Sequence, residues 1–238
     1  MWHVREQSQL NTPIVSSSRP VTLLGGAEVS DDILNTALRL APTLVGVDGG
    51  ANGLVGGPRR PAAIIGDLDS LSDAARAEFA DLLYEVSEQE TTDFDKALRH
   101  VEAPLVIALG VAGGRLDHEL AGLNVLVRNR HRPCIALGGE TLTFLCPPSI
   151  RLDLEPGSLV SLFPMVETRV RSSGLRWDTE GLVLSPSGRV GTSNMAMGPV
   201  TLDPDGPGLL VILSASALAV TAKALAEAPV WPEDRGQP

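Results

Sequence analysis

The strongest constraint on the fold of this chain is a recurrence: short apolar runs, each closed by a cluster of glycine and aspartate. Val21-Thr-Leu-Leu24 ends in Gly25-Gly26, and Leu44-Val-Gly-Val47 ends in Asp48-Gly49-Gly50-Ala51-Asn52. Ala62-Ala-Ile-Ile65 ends in Gly66-Asp67-Leu68-Asp69-Ser70, and Leu105-Val-Ile-Ala-Leu109 ends in Gly110, followed by Gly113-Gly114-Arg115-Leu116-Asp117. Continuous apolar runs of this length suit strands buried on both faces of a parallel sheet. Ile33 to Leu40, Ala74 to Leu83, Phe94 to Val101 and Glu119 to Arg128 carry helix-like patterns between or after them. Strand and helix in alternation predict a layered α/β domain.

The chain has 238 residues, 43% hydrophobic and 20% charged, which is a globular balance. Aromatics are only 3%, so the core must be built from Val, Leu, Ile and Ala. A formal charge of −10 argues against a nucleic-acid partner, which needs Lys and Arg to displace phosphate counterions. The greasiest region, Gly208 to Val220, is interrupted by Ser214 and Ser216, so no membrane span is expected. The first residues lack the apolar core of a signal peptide. Cys134 and Cys146 are too few for a disulfide scaffold and read as free thiols, packed as small hydrophobes. A cytoplasmic location follows as the expectation.

Residues 1–20 are polar and read as an irregular extension or an edge strand. The character changes at Cys146-Pro147-Pro148. Beyond it come short β-like pieces, Leu159 to Phe163, Leu182 to Leu184, Val200 to Leu202 and Leu209 to Leu213, separated by Gly, Pro, Ser and Asp. The expected organisation is a layered α/β domain with a mostly parallel sheet over 1–146. A small antiparallel β domain, a sandwich or partial barrel, over 147–230 and a loose tail over 231–238 complete it.

The chemistry gathers at the ends of the apolar runs. In open α/β sheets ligands bind at the carboxyl ends of strands, where glycines let backbone approach a phosphate. Asp67 and Asp69 are two apart; on an extended backbone both point the same way. Two carboxylates about 5 Å apart repel by roughly 3 kcal/mol at an effective dielectric near 20. A divalent cation turns that cost into attraction, and Mg²⁺ suits hard oxygen ligands beside phosphates. The competing reading of an isolated Asp-x-Asp is one helix cap and one solvated acid; Asp48, Asp93 and Asp117 in the same pattern tip the balance to the metal. Thr91 or Thr92 caps a helix whose buried stripe is Phe94, Ala97, Leu98 and Val101. Asp93, Lys96 and His100 fall beside that stripe, with Asp95 facing solvent. Arg115, between glycines and Asp117, matches phosphate oxygens in a bidentate way. His118 is expected to pack at a helix start.

Taken together these motifs resemble the thiamine pyrophosphokinase family. The matching segments are Asp48-Gly-Gly-Ala-Asn52, Gly66-Asp-Leu-Asp-Ser70, Gln89-Glu-Thr-Thr-Asp-Phe-Asp-Lys96 and Gly113-Gly-Arg-Leu-Asp-His118, followed by Gly174-Leu-Arg-Trp177 and Thr192-Ser-Asn194. The resemblance runs from about Val21 to Leu213, and the fold it implies is a nucleotide-binding α/β domain followed by a β-sandwich. It implies transfer of the pyrophosphoryl group of ATP to the hydroxyethyl oxygen of thiamine, giving thiamine pyrophosphate and AMP. By resemblance the magnesium set is Asp67, Asp69 and Asp93. ATP-site residues are Asp48, Gly49, Gln89, Lys96, Arg115 and Asp117. Asp69, Asp93, Asp117, Lys96 and Arg115 make up the catalytic group, with the proton acceptor left open between Asp93, Asp117 and neither. The second domain is expected to bind thiamine through Trp177, whose aromatic face attracts the thiazolium cation, and through Ser193 and Asn194. For Trp177, core filling stands nearly level with stacking. A homodimer with the thiamine site between subunits is also implied. Two other functions compete: a metal-dependent nucleotide phosphohydrolase, and a non-enzymatic nucleotide or thiamine sensor. The presence of Asp48, Asp67, Asp69, Asp93, Lys96, Arg115 and Asp117 together speaks against the sensor.

Overall fold

The computed structural model describes residues 12–112 and 114–233. The chain divides into two compact units, Met1–Val125 and Leu126–Pro238. That division falls ahead of the Cys146-Pro147-Pro148 step, where the sequence placed it. The reason is pairing: the strand just before the two prolines joins a strand near the end of the chain.

In the first unit β1 (Val15–Ser16) pairs in parallel with β6 (Val101–Glu102), so part of the polar extension is a short strand. The main sheet holds β2 (Val21–Leu24), β3 (Thr43–Val47), β4 (Ala63–Gly66), β5 (Leu83–Glu85) and β7 (Val106–Leu109). Their order is β5-β4-β3-β2-β7, all parallel. Every residue of β2, β4 and β7 is buried. Each Leu, Ile or Val so buried contributes about 1.5–3 kcal/mol relative to exposure. Thr22, the one polar side chain in β2, donates its hydroxyl to the Ala41 carbonyl at 2.7 Å. Satisfied in this way, it sits in the core without the penalty of a lost hydrogen bond.

Helices α1 (Asp31–Leu40), α2 (Asp73–Glu78) and α3 (Asp93–Arg99) connect these strands. Ser30, Ser72 and Thr92 cap them, each side chain accepting from the amide three residues on. The helix expected over Ala74 to Leu83 is shorter than its pattern: α2 stops at Glu78, and a 3₁₀ turn (Ala80–Leu82) leads into β5. Leu83 has to pair with Ile64 at the sheet edge, so the chain leaves the helix early. With three residues and one buried side chain, β5 carries almost no periodic signal of its own. After β7, α4 (Leu116–Arg128) runs across the division between the units.

The second unit is antiparallel throughout, as expected of its Gly/Pro-punctuated short strands. It contains β8 (Cys134–Gly138), β9 (Thr141–Leu145), β10 (Ile150–Leu152), β11 (Leu159–Pro164), β12 (Thr168–Leu175), β13 (Val183–Leu184), β14 (Gly191–Pro204) and β15 (Leu209–Ser214). The path is β8-β9-β15-β11-β14-β12-β13. The long β14 pairs with β11 through its first residues, then with β12 and β10 through its second half. A bulge in β12 falls between Ser173 and Leu175. Gly174 there has φ +80, and a Cβ would stand 2.0 Å from the Pro199 carbonyl oxygen, so only glycine fits.

The apolar stretch Gly208 to Val220 divides into β15 and the start of α5 (Leu218–Glu227), which packs on β10. The segment after α5 is not loose throughout: the Trp231 indole N–H donates to the Cys146 carbonyl at 2.8 Å. Residues 234–238 of the expected tail lie outside the described residues. Cys134 and Cys146 are free thiols, both buried, and burial pushes both pKa values up. Among the described residues no helix is long and apolar enough to cross a membrane.

The close approach of the β2 and β3 ends gives a direct test. A Cβ on Gly50 would lie 2.0 Å from the Leu24 carbonyl oxygen, whereas one on Gly26 meets nothing nearer than 4.0 Å. Gly50→Ala is expected to lower unfolding free energy by about 1–3 kcal/mol. Gly26→Ala is expected to stay within about 0.5 kcal/mol of the parent. Urea denaturation followed by circular dichroism reads both.

Candidate active site

Five parallel strands place their carboxyl ends on one edge of the first unit. Asp48 follows β3, Asp67 follows β4, and Asp93 is the first residue of α3, which packs against both strands. Carboxylate oxygens of Asp48, Asp67 and Asp93 lie within 4.8 Å of one another. Lys96, one turn along α3 from Asp93, extends into this group. Its Nζ donates to Asp67 Oδ2 and to Asp93 Oδ1, each at 3.0 Å, and its side chain is 1% exposed. Asp93 Oδ1 also accepts the Asp67 amide at 3.1 Å. Gln89 Nε2 lies 3.5 Å from Asp67 Oδ2. Gly66 permits the convergence: a Cβ there would stand 2.8 Å from Asp48 Cβ and 3.2 Å from Asp93 Oδ1.

Three carboxylates and one ammonium leave a formal charge of −2 in a small space. The acids respond differently. Burial raises the Asp48 pKa above the usual carboxylate range, outweighing its hydrogen bonds from Gly49 and Ser70. Burial also pushes Asp67 upward, but hydrogen bonds from Lys96 and the Asp69 amide hold it below that range. Lys96 is raised: the two carboxylates outweigh the loss of solvent. Asp48 Oδ1 is buried and has no hydrogen-bond partner. A buried carboxylate oxygen without a hydrogen bond, on an acid that converges with two others into an all-oxygen donor set, fits a hard divalent cation such as Mg²⁺.

The Asp69 carboxylate is not one of the three that converge. The expected set was Asp67, Asp69 and Asp93; the converging set is Asp48, Asp67 and Asp93. The cause is Leu68, whose φ of +66 breaks the extended period that would have aligned Asp67 with Asp69. The Leu68 side chain is buried, and its carbonyl accepts from the Arg76 guanidinium, which holds the turn. Asp69 is exposed; its amide donates to Asp67 Oδ1 at 3.3 Å, and Ser70 Oγ donates to Asp69 Oδ1 at 2.9 Å. Asp48 also has positive φ, +44, in the turn that opens with it. That turn is tied to the Asp69 loop by Asn52, which donates to the Ser70 carbonyl at 2.9 Å and accepts the Ser72 amide at 2.8 Å. Gly49 rests against Ser70 in the same place.

Asp95, expected to face solvent, is 1% exposed and paired with Arg99 at 3.3 Å. Thr92 takes the capping role, while the Thr91 hydroxyl joins Glu88 and Arg99. His100 Nδ1 lies 2.7 Å from the Lys96 carbonyl oxygen, a contact within the helix and its cap. His118 is exposed rather than packed at the start of α4. Arg115 and Asp117 do not reach the acid trio; they form a bidentate pair at 3.1 and 2.6 Å, with side chains 73% and 64% exposed. Glycines link that turn to the others: Gly110 abuts Gly25, and Gly25 abuts Gly50.

In the second unit Trp177 is 55% exposed, with the Arg176 guanidinium 4.9 Å from its ring centroid. This exposure excludes the core-filling reading. Asn194 is buried and clamps the tryptophan backbone. Its Oδ1 accepts the Trp177 amide at 3.1 Å and the Met195 amide at 2.8 Å, and its Nδ2 donates to the Trp177 carbonyl at 2.7 Å. Ser193 is exposed, with φ +61 and its amide bonded to Ser161 Oγ at 3.0 Å.

Two family models match: "Thiamin pyrophosphokinase, catalytic domain" over residues 34–137 and "Thiamin pyrophosphokinase, vitamin B1 binding domain" over residues 149–206. The chain belongs to the thiamine pyrophosphokinase family. The first matched region contains Asp48, Asp67, Asp93 and Lys96, and the second contains Trp177 and Asn194. A relative called Thiamine pyrophosphokinase 1, from Oryza sativa subsp. japonica, is 29% identical over 233 residues, covering 79% of this chain and 88% of that protein. A second Thiamine pyrophosphokinase 1, from Arabidopsis thaliana, is 28% identical over 156 residues, and this match covers 58% of that protein. The solved structure of thiamin pyrophosphokinase from Candida albicans superposes with a TM-score of 0.69 at 16% identity, covering 89% of this chain and 96% of that one. At that identity the likeness speaks for the fold.

The raised Asp48 pKa sets a pH-dependent expectation. Its ionisation burdens the folded state, so stability present below the ordinary carboxylate pKa is lost as pH rises through the raised value. Without divalent cations, Asp48→Asn is therefore expected to match or exceed the parent by up to about 1 kcal/mol at pH 7. The difference should vanish below about pH 4, where the parent carboxyl is neutral. Urea midpoints measured in EDTA across this range check it; a large loss of stability at pH 7 would contradict the account.

Proposed function

We propose that this chain transfers the terminal pyrophosphoryl group of ATP to the hydroxyethyl oxygen of thiamine, giving thiamine pyrophosphate and AMP. One observation carries the reading: the Asp48, Asp67 and Asp93 carboxylates converge around Lys96 inside the region matched by the family's catalytic domain. Asp48, Asp67 and Asp93 would hold Mg²⁺. When bound, the ion offsets the charge of the carboxylates and of the phosphate oxygens.

The chain's own groups then have distinct tasks. Lys96, fixed by two carboxylates and shielded from water, presents one permanent positive charge beside the phosphates and keeps Asp67 and Asp93 oriented. Glycines at the ends of β2, β3 and β7, with Gly49, leave room for backbone to approach the triphosphate. Gln89, at the rim beside Asp67, is suited to hydrogen-bond a phosphate oxygen. Arg115 is exposed and held by Asp117, so it can exchange that partner for a phosphate with little reorganisation. Among the acids, Asp93 Oδ1 is engaged by Lys96 and by the Asp67 amide. Asp69 is exposed at the rim of the trio, and we assign it to receive the proton of the attacking hydroxyl. Such transfers depend mainly on positioning and charge neutralisation rather than on covalent work by the protein.

For the acceptor, the exposed indole of Trp177 offers an aromatic face to the thiazolium cation, worth about 0.5–2 kcal/mol. Asn194 holds the backbone that presents this ring, and Ser193 lies exposed beside it for a hydrogen bond to the pyrimidine. The reading includes an antiparallel sandwich as the thiamine-binding domain and a homodimer with its thiamine sites between subunits. Exposed Leu159 and Trp177 supply apolar surface for such a pairing. It also places the chain in the cytoplasm, in keeping with its two free thiols.

Incubation with ATP, Mg²⁺ and thiamine tests the proposal. AMP and thiamine pyrophosphate are expected in equal amounts, with Lys96→Met slower by at least about a hundredfold. ADP as the main nucleotide product would refute the transfer. Phosphate release at comparable speed without thiamine would make the chain a hydrolase.

A further inference from the structure

Arg99 closes α3 on the side of the helix that meets the preceding loop, and no step above uses it. Its guanidinium makes two hydrogen bonds and one ion pair. Nη2 donates to Glu88 Oε1 at 2.7 Å and to Thr91 Oγ1 at 2.9 Å, and Nε lies 3.3 Å from Asp95 Oδ2. Asp95 and Arg99 are one turn apart on the helix, whereas Glu88 and Thr91 belong to the loop. The Glu88 carboxylate is itself a hub: it accepts the amides of Glu90 at 2.8 Å and Thr91 at 3.0 Å, and the Thr91 hydroxyl. The pair is half-buried and Asp95 is fully buried. A fork with several fixed donors can fasten such an arrangement; a point charge on a flexible stem cannot.

What is fastened matters for the site. The loop carries Gln89, which reaches Asp67, and leads directly into Asp93 at the first turn of α3. The same helix carries Lys96. We propose that Arg99 is a positioning residue: by locking the 88–92 loop against α3 through Glu88, Thr91 and Asp95, it fixes Gln89, Asp93 and Lys96 in the arrangement that receives a divalent cation and its nucleotide. This role rests on the function proposed above. It acts at a distance from the substrate, in the way that partners of metal ligands fix the orientation of those ligands.

The test compares full-length parent, Arg99→Lys and Arg99→Met, using Mn²⁺ as a cation visible by electron paramagnetic resonance. In both variants the Mn²⁺ dissociation constant is expected to rise about tenfold, and kcat/KM for ATP with Mg²⁺ to fall about tenfold. Arg99→Lys keeps the charge and is expected to retain the parent's circular dichroism, so it carries the test if Arg99→Met does not fold. Glu88→Gln should shift Mn²⁺ affinity the same way, and the double variant with Arg99→Lys should lose less than the two separate losses added. A merely structural Arg99 would lower the melting temperature and leave Mn²⁺ affinity unchanged. Folded Arg99→Lys with parental Mn²⁺ affinity, beside a parent that binds Mn²⁺ and makes AMP, overturns this role alone. A parent that does neither overturns the functional reading, and this role with it.

Discussion

A lysine ammonium buried between two aspartates organises the first unit. Without Lys96, Asp67 and Asp93 would face each other and Asp48 as unscreened like charges at the end of a parallel sheet. With it, the trio is held together but left two charges short of neutrality. The hydrogen bonds are shared unequally. Lys96 serves Asp67 and Asp93, while one oxygen of Asp48 has no partner at all. The residual demand is thus concentrated on one buried carboxylate, which a cation can satisfy and a side chain does not.

The rest of the unit can be understood as the means of delivering these groups to one place. Parallel pairing puts the ends of β3 and β4 side by side. Glycine at 66 leaves out a Cβ that would crowd both Asp48 and Asp93. The left-handed residues Asp48 and Leu68 turn the chain sharply at the two strand ends. Non-glycine residues in that region carry strain of order 1–3 kcal/mol, which the buried Leu68 side chain and the Arg76 bond offset.

Much of this was legible in the sequence. The buried strands β2, β3, β4 and β7 announced themselves as unbroken apolar runs, and the Gly/Asp clusters marked the functional edge. The period-of-two rule aligns Asp67 with Asp69, and nothing in the residue types of Asp67-Leu68-Asp69 reveals the left-handed leucine that breaks this alignment. Asp48, assigned by resemblance to the nucleotide, also brings its carboxylate within 4.8 Å of those of Asp67 and Asp93. Its place beside Asp67 depends on β3 and β4 being adjacent, which is a tertiary fact. Asp95 looked like a surface charge because helical position alone does not show that Arg99 and the 88–92 loop cover it. In the second unit the later short strands are visible but β8, β9 and β10 are not: β9 and β10 pair with strands far along the chain, and β8 joins the sheet by pairing with β9. Asn194 was chosen as a ligand contact; the structure shows its amide committed to the backbone of Trp177.

The burial of Cys134 and Cys146 has a consequence for how this protein ages. Neither sulfur presents a thiolate to solvent, so peroxide and electrophiles find no cysteine to attack in the folded second unit. The most exposed sulfur-bearing side chain among the described residues is Met197, on the same strand as Asn194. Oxidative wear would therefore register first as a sulfoxide on that strand, a lesion that methionine sulfoxide reductases repair.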